Sequence, residues 1–220
     1  MTLNLLPDAR AAAVLRRLHQ ESERQSPHFP AMLAGRTLSL DDLDGLPRDG
    51  DLALDAKQAA FIYSLVCASK ARCVVEFGTS LGVSTIWLAL AARANWGRVI
   101  TTELIPERAA RARANLEEAG LSDVVDIRVG DATHTLRALD APVDFFLSDG
   151  FPTRALGVLQ RVHPLLVHGA TVVTNNVTTC AAEYRAYLAW IRHPKNGFVS
   201  TTVPFQTGTE ISVYRGAVEH

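Results

Sequence analysis

Side chains that accept hydrogen bonds stand at the ends of five successive apolar segments of this sequence. Glu76, Glu103, Asp131 and Asp149 end the first four segments, and the Asn175–Asn176 pair ends the fifth. Carboxylates accept hydrogen bonds from hydroxyl and amine groups, and they attract cations. Chance is a poor explanation for acceptor side chains at the ends of all five segments. We therefore predict that these side chains form one acidic site. A nucleoside whose other end is positively charged would suit that site.

Individual residues indicate how such a ligand would lie. Glu103 follows Gly78 by about 25 residues, and a carboxylate there can accept hydrogen bonds from both hydroxyls of a ribose. Asp131 can accept one from the exocyclic amine of an adenine. The turn from Gly78 to Gly82 lets the backbone pass close to a ligand, but it matches neither GxGxxG nor GK[ST]. Glu76, just before this turn, would repel a pyrophosphate and attract a cationic group.

These side chains can meet only if their segments are strands that end at one edge of a sheet. From Leu54 onward, strand-like and helix-like segments alternate, which predicts a parallel sheet with helical crossovers. The predicted strands are 73–77, 98–103, 124–129, 143–148, 170–174, 198–203 and 210–214, and the predicted helices are 55–69, 84–93, 106–119, 133–139, 153–166 and 181–192. A short link joins the last two strands, which predicts an antiparallel hairpin at one edge of the sheet.

We interpret residues 1–220 as a single domain with two parts. Apolar residues at helical spacing predict a helix over 8–20, followed by connectors around a short segment at 31–35. Residues 1–53 could not bury a core alone, so we interpret them as an N-terminal helical cover on the α/β core of residues 54–220.

Composition excludes several classes of protein. The chain has 220 residues, with 22 Lys and Arg against 23 Asp and Glu, so a nucleic-acid partner is not expected. No apolar run is long enough to span a membrane, and the first residues lack the pattern of a signal peptide. Three cysteines without CxxC spacing favour neither a disulfide framework nor a zinc site. We therefore expect a cytoplasmic protein with a packed core.

Five segments of the sequence resemble the successive motifs of S-adenosylmethionine-dependent methyltransferases, in the branch of catechol and caffeoyl-CoA O-methyltransferases. They are VVEFGTSLGVSTIWLALA, ITTELIPERAARARANLEEAGL, VGDA, VDFFLSDG and LLVHGATVVTNNV. The resemblance covers about Leu54 to Arg215. It implies a Rossmann-like, mostly parallel sheet of seven strands, with the last one antiparallel and inserted between the fifth and sixth. It also implies helices on both faces of the sheet, and a homodimer.

The resemblance also implies roles for individual residues. Glu76 and Gly78 would lie near the amino-acid end of S-adenosylmethionine, Ser84 near its carboxylate and Glu103 on its ribose. The complete set predicted to bind this cofactor is Glu76, Gly78, Thr79, Ser84, Glu103, Leu104, Asp131, Ala132 and Asp149. Phe151 and Asn176 are predicted to face the methyl acceptor, a small molecule.

The sequence departs from the metal-using members of this family. Those members carry an Asp after strand four and an Asp-Asn pair after strand five. Here Asp149 and Asn176 match, but Asn175 replaces the second Asp. Because hard cations prefer anionic oxygen ligands, Asp149, Asn175 and Asn176 would form a weaker divalent-metal site. The family's Lys, three residues after the first Asp, is replaced by Pro152.

The predicted activity is the transfer of a methyl group to a small-molecule acceptor, with a hydroxyl oxygen as the preferred target. Without a strong metal site, a protein group must deprotonate the acceptor unless the acceptor is itself acidic. Asp149 is the first candidate base, and His134, just past the third strand, is the second. A non-catalytic S-adenosylmethionine-binding regulatory or partner protein is the main alternative, motivated by the missing Lys and by Asn175. An NAD-dependent dehydrogenase is a third hypothesis, although its GxGxxG pattern is absent.

Overall fold

A seven-stranded sheet flanked by helices forms the centre of the structure. The computed structural model describes residue 6 and residues 8–25, 54–139, 141–205 and 207–216. The strands are β1 (Cys73–Phe77), β2 (Arg98–Glu103), β3 (Val125–Val129), β4 (Val143–Ser148), β5 (Leu166–Thr174), β6 (Phe198–Val203) and β7 (Thr209–Tyr214). The α-helices described are α1 (Ala9–Gln25), α2 (Ala56–Ala68), α3 (Val83–Ala94), α4 (Pro106–Glu118), α5 (Ala132–Thr135), α6 (Pro152–Val162) and α7 (Arg185–Ile191).

The strand order across the sheet is β3-β2-β1-β4-β5-β7-β6. Strands β1 to β5 run parallel, and β7 is antiparallel to both of its neighbours, β5 and β6. This topology confirms the predicted α/β class, the mostly parallel sheet and the antiparallel last strand between the fifth and sixth. It also confirms the hairpin at one edge. The chain moves outward from β1 to β3 and then returns to β4, so the strand order reverses between β1 and β4.

Helices cover both faces of the sheet because neighbouring strand residues point to opposite sides. Val74 and Phe145 lie in an apolar cluster with residues of α1, α2, α3 and α4. Val75 and Phe146 lie in a second cluster with residues of α5, α6 and α7. The central strands are therefore buried on both faces, which explains why their sequences are continuous apolar runs.

Local sequence signals set several ends of these elements. The Asp55 side chain accepts hydrogen bonds from the backbone N–H groups of Lys57 (2.9 Å) and Gln58 (3.3 Å), so it caps α2 as predicted. Gly120, which follows α4, has a φ of 71°, a conformation that glycine adopts readily. The predicted bounds of β1, β2, β4 and β6 are confirmed.

Other predicted bounds were wrong. Helix α1 continues to Gln25 rather than ending at residue 20, because no Gly or Pro interrupts it there. Strand β5 begins at Leu166 rather than residue 170, because Leu166 already pairs with Val143 across an irregularity in the ladder. Helix α7 begins at Arg185 rather than residue 181, because residues 177–184 form consecutive turns.

The N-terminal cover packs through α1 against helices α3 and α4. Leu15 is fully buried in the apolar cluster that includes residues of α2 and α3. Arg17 donates a hydrogen bond to Glu118 Oε2 at 2.6 Å, which links α1 to the end of α4. Residues 26–53, with the segment predicted at 31–35, lie outside the described residues, so the division at residue 53 stays a prediction. None of the helices in the described ranges is long and apolar enough to cross a membrane.

Candidate functional site

The reversal of strand order places a crevice at the carboxyl ends of β1 and β4. Gly78 follows β1 with a φ of 101°, a conformation that strongly favours glycine. A Cβ at Gly78 would lie 2.7 Å from the Cα and N atoms of Gly150, and a Cβ at Gly150 would lie 2.6 Å from Phe77 Cζ. A side chain at either position would collide with the other strand end. Glycine at both positions therefore allows the ends of β1 and β4 to lie this close together. The predicted contact of Gly78 with a cofactor stays a prediction.

Glu76, near the end of β1, is fully buried with one carboxylate oxygen paired and one open. Its Oε2 accepts hydrogen bonds from the hydroxyls of Thr85 (2.5 Å) and Thr101 (2.6 Å), while its Oε1 has no hydrogen-bond partner. Burial raises the pKa of Glu76, and hydrogen bonding by Ser84, Thr101 and Thr85 partly opposes that rise. The open oxygen is therefore a buried acceptor suited to a cationic or amine group of a ligand.

Glu103, the last residue of β2, is buried and held in one orientation. Its Oε2 accepts a hydrogen bond from the backbone N–H of Ser80 at 2.8 Å, and its Oε1 accepts one from that of Ile105 at 2.9 Å. Burial raises its pKa, while the two backbone N–H groups and the positive charge of Arg108 lower it. Each oxygen retains a further lone pair. The carboxylate can therefore accept hydrogen bonds from two hydroxyls at once.

Asp131, just after β3, has protein partners that the sequence did not predict. It caps α5 by accepting hydrogen bonds from the backbone N–H (2.8 Å) and hydroxyl (2.6 Å) of Thr133. Its second oxygen accepts a short hydrogen bond from Arg154. Thr133 and Arg154 both lower the pKa of Asp131. His134 lies beside this acid, with Nδ1 3.9 Å from Oδ1 and a largely exposed side chain.

The other positions predicted to contact ligands differ in accessibility. Leu104, after β2, is exposed, whereas Ala132, the first residue of α5, is buried. Thr79 is buried, and its hydroxyl shares a 2.6 Å hydrogen bond with a threonine of β2. Ser84 lies buried in the first turn of α3, and Phe151 is half-buried just before α6. Leu104 therefore offers apolar surface to a ligand, while the Thr79 side chain already has a partner in the protein. The binding roles of all five residues stay predictions.

Asp149 follows β4 at the crevice and has a perturbed pKa. Its pKa is raised to about 7, mainly by burial; the Asn175 amide opposes this rise and the charge of Glu76 adds to it. Asn176, held at a φ of 64°, directs its Nδ2 to Asp149 Oδ1 at 3.4 Å. The Asp149 side chain is densely surrounded yet keeps some exposed surface. A carboxyl of this kind can exchange a proton with a ligand near neutral pH.

Glu76 and Asp149 are the two predicted acids of the site that have no arginine among the causes of their pKa shifts. The other two predicted acids each interact with an arginine. In the ranges that the structure describes, neither Glu76 nor Asp149 forms an ion pair; Glu76 is fully buried, and Asp149 keeps some exposed surface. Their mutual repulsion would be relieved by a cationic group placed between them. The predicted acidic site is therefore most acidic at the ends of β1 and β4.

A divalent cation does not fit Asn175, the residue that replaces the second Asp of the metal-using relatives. The carbonyl oxygen of Asn175 accepts a hydrogen bond from Gln58 Nε2 at 2.8 Å and a longer one from Thr209 Oγ1 at 3.4 Å. This oxygen is therefore already occupied by donors within the protein. Among the described residues, no group of three or more His, Cys, Asp and Glu could hold a metal ion. The remaining oxygens, on Asp149 and Asn176, include only one carboxylate, so a hard cation would be held weakly.

Tyr184 is a site residue that the sequence did not reveal. It lies in the turns between β5 and α7, where no motif singles it out. Its side chain is fully buried, with the ring packed edge-on against Tyr187 at 5.6 Å, and its hydroxyl has no hydrogen-bond partner. Burial and then the charge of Asp149 raise its pKa well above the ordinary value for tyrosine. Tyr184 thus has a buried hydroxyl without a partner, and the charge of Asp149 acts on its pKa.

We expect different effects on stability from removing the hydroxyls of two neighbouring tyrosines, Tyr187 and Tyr184. The Tyr187 hydroxyl shares a 2.6 Å hydrogen bond with Thr174 Oγ1, so Tyr187→Phe should lower the free energy of unfolding by about 1 kcal/mol. Tyr184→Phe removes a buried hydroxyl that has no partner, so it should leave stability unchanged or increase it. Urea denaturation of both variants measures the difference. An equal loss of stability would show that the Tyr184 hydroxyl is satisfied within the protein.

Buried polar atoms without partners concentrate at the carboxyl ends of β1, β4 and β5. Each such atom costs about 1–3 kcal/mol unless something pairs with it. Those near the crevice are Glu76 Oε1, Ser80 Oγ, Ser148 Oγ, Asn175 Nδ2 and Tyr184 Oη. A polar ligand at this edge of the sheet would supply the missing partners.

The fold and this edge together define a class of protein. A Rossmann-like sheet with a crevice at its switch point, and a fixed carboxylate ending the second strand, is typical of α/β proteins that bind nucleosides. Residues 75–177 match a family model described as a methyltransferase domain. This chain belongs to the methyltransferase family.

Named relatives agree with this assignment. The chain is 40% identical over 149 residues to catechol O-methyltransferase from Mycobacterium tuberculosis (strain ATCC 25618 / H37Rv), a match that covers 67% of this chain and 65% of that protein. The crystal structure of cofactor-bound Rv0187 from MTB is 32% identical, with a TM-score of 0.70 over 86% of this chain and 90% of that one. An O-methyltransferase from Bacillus cereus in complex with SAH shares the fold at 24% identity, with a TM-score of 0.71 over 96% and 93% of the two chains.

Proposed function

We propose that this protein is an S-adenosylmethionine-dependent methyltransferase that methylates a hydroxyl oxygen of a small molecule. The observation that carries the proposal is the pair of buried acids at the ends of β1 and β2. Glu103 is fixed by two backbone N–H groups, and Glu76 keeps one oxygen open. The names of the relatives support the same activity, because one is a catechol O-methyltransferase and another structure is described as cofactor-bound.

The residues at this edge fit S-adenosylmethionine. Glu103 would accept hydrogen bonds from the two ribose hydroxyls, and Glu76 would face the positively charged amino-acid end. Asp131 and the exposed Leu104 lie after β3 and β2, where the adenine is expected. When bound, S-adenosylmethionine supplies a methyl group that is already activated by a positively charged sulfur.

Asp149 is the group that we assign to proton acceptance. It lies at the crevice with a pKa near neutrality, so it can take the proton of an acceptor hydroxyl. Phe151 and Asn176 adjoin it and would contact the acceptor. His134 remains the second candidate base, although the structure places it beside Asp131 with a largely exposed side chain. The comparisons favour neither a non-catalytic binding protein nor a dehydrogenase.

Turnover should not need a divalent metal ion. The Asn175 oxygen is held by Gln58 and Thr209, and the remaining ligands include only one carboxylate, so a hard cation would be held weakly. We therefore expect methyl transfer to continue in excess EDTA, and added Mg²⁺ to change nothing. Product formation measured with and without chelator tests this. A strong loss in EDTA that Mg²⁺ restores would show that Asp149, Asn175 and Asn176 bind an ion after all.

We further propose that the protein acts in the cytoplasm as a homodimer, without a nucleic-acid partner. The three cysteines are free thiols, which suits a reducing compartment. The near balance of charge gives no reason for a polyanion partner. Light scattering on the purified protein should give about twice the 23.9 kDa mass of one chain. A mass equal to one chain at micromolar concentration would contradict the dimer.

A further inference from the structure

Three buried side chains from distant parts of the chain form one hydrogen-bonded cluster behind Asp149. Gln58 lies in the first turn of α2, Asn175 follows β5, and Thr209 begins β7. All three are buried, and Asn175 and Thr209 are completely so. Gln58 Nε2 donates to both Asn175 Oδ1 (2.8 Å) and Thr209 Oγ1 (2.7 Å), and the Thr209 hydroxyl reaches Asn175 Oδ1 at 3.4 Å. Both donors therefore converge on the same oxygen of the Asn175 amide.

This convergence determines which way the Asn175 amide faces. Because its oxygen is held by Gln58 and Thr209, its NH₂ group must point to the opposite side. That NH₂ group has no hydrogen-bond partner in the described structure, although it is buried. The backbone N–H of Asn175 donates to the carbonyl oxygen of Ser148 at 3.2 Å, which places the residue next to Asp149. Ser148 pairs with Thr174 at the ends of β4 and β5, so Asp149 and Asn175 each directly follow one of two paired strand residues.

We propose that Gln58 and Thr209 are positioning residues that turn the Asn175 NH₂ group toward the Asp149 carboxylate. Asn175 then donates to Asp149 from one side, while Asn176 Nδ2 approaches Asp149 Oδ1 at 3.4 Å from its own position. Two neutral amides thus orient the carboxylate that accepts the proton. The catalytic consequence rests on the proposed function, but the orientation of the amide does not.

The chemistry of Gln58 makes the proposal specific. An amide NH₂ at this position donates to the Asn175 oxygen, whereas a carboxylate of the same shape can only accept. Gln58→Glu should therefore pull the Asn175 NH₂ group away from Asp149 and turn its carbonyl oxygen toward that carboxylate. Gln58→Met fills the same space without any polar atom, so it should release the amide without turning it over.

The kinetic experiment compares these two variants with a structural control. Gln58→Glu should lower kcat about 10- to 100-fold, the cost of one hydrogen bond to a charged group. Gln58→Met should cause a smaller loss, and Thr209→Ser, which keeps the hydroxyl, should stay near wild type. Tyr187→Phe breaks another buried hydrogen bond, to Thr174 at the end of β5, and should reduce stability without reducing kcat. Affinity for S-adenosylhomocysteine should fall far less than kcat in every variant, because no hydrogen bond joins the cluster to Glu76 or Glu103.

A second measurement decides the orientation without any turnover. In protein labelled with ¹⁵N at asparagine side chains, the Asn175 NH₂ signal is identified by its absence in Asn175→Ser. Asp149→Asn should shift that signal. Gln58→Glu should shift it further, because the Asn175 NH₂ group would then donate to the new carboxylate at position 58 instead of to Asp149. An Asn175 signal that ignores Asp149→Asn would overturn the proposal, and so would a Gln58→Glu variant with wild-type kcat. If the variants shift the Asn175 signal as expected but the wild-type protein transfers no methyl group, the proposed orientation of the amide stands. Only the proposed function is then contradicted.

Discussion

Glu103→Ala should weaken binding of S-adenosylhomocysteine by about 100-fold or more in calorimetric titration. The carboxylate is fixed by the backbone N–H groups of Ser80 and Ile105, so it is already oriented to receive two ribose hydroxyls. Each hydrogen bond to a charged group contributes about 1.5–3 kcal/mol, and losing two of them corresponds to a factor of this size. The substitution also leaves two backbone donors without their acceptor.

Two further variants separate the recognition of the ribose hydroxyls from a nonspecific effect of removing one negative charge. Glu103→Gln keeps one acceptor oxygen and should lose less affinity than Glu103→Ala. Glu107→Ala removes the same charge from an exposed position in the first turn of α4 and should bind like wild type. If Glu103→Ala bound within about threefold of wild type, Glu103 would not be the ribose ligand.

Asp149→Asn should lower kcat by about 10²- to 10⁴-fold, the usual contribution of a general base. The carboxyl accepts a proton only when it is ionised. Because folding raises its pKa to about 7, the wild-type rate should fall about tenfold per pH unit below that value and level off above it. Asp149→Asn should lose this dependence on pH and should still bind S-adenosylhomocysteine. A pH profile of kcat for both proteins measures the effect.

The matched control is Asp126→Asn, which changes an Asp on β3 that pairs with Arg128 at 2.9 Å. It should keep both the wild-type rate and the wild-type pH profile. An unchanged rate and profile in Asp149→Asn would remove Asp149 from the mechanism. His134→Gln would then test the other candidate base, and the acidic limb of the profile should disappear in that variant instead.

Much of the fold could be predicted from the sequence because its signals are local. The runs of β1, β2 and β4 each carry a charged or polar residue at or next to their last position, and their bounds were predicted correctly. Parallel strands end at one edge, so the acids that follow them had to gather there. Glu76 and Glu103 are accordingly found buried at neighbouring strand ends.

The finer chemistry of the site could not be predicted, because it depends on contacts between distant residues. Gln58 lies 117 positions from the Asn175 amide that it holds. Arg154 pairs with Asp131, which lies 23 positions away along the chain. Tyr184 lies in a series of turns, where the sequence predicted a helix from residue 181. None of these contacts leaves a pattern in the residues close to it along the chain.

The most direct test of the proposed function is calorimetric titration of the unmodified protein with S-adenosylhomocysteine and, separately, with NADH. Glu103 and Glu76 are arranged for a ribose and a cationic group, and the turn at Gly78 lacks a dinucleotide pattern. We predict saturable binding of S-adenosylhomocysteine at one site per chain and no binding of NADH. No detectable binding of S-adenosylhomocysteine, or tighter binding of NADH, would contradict the account.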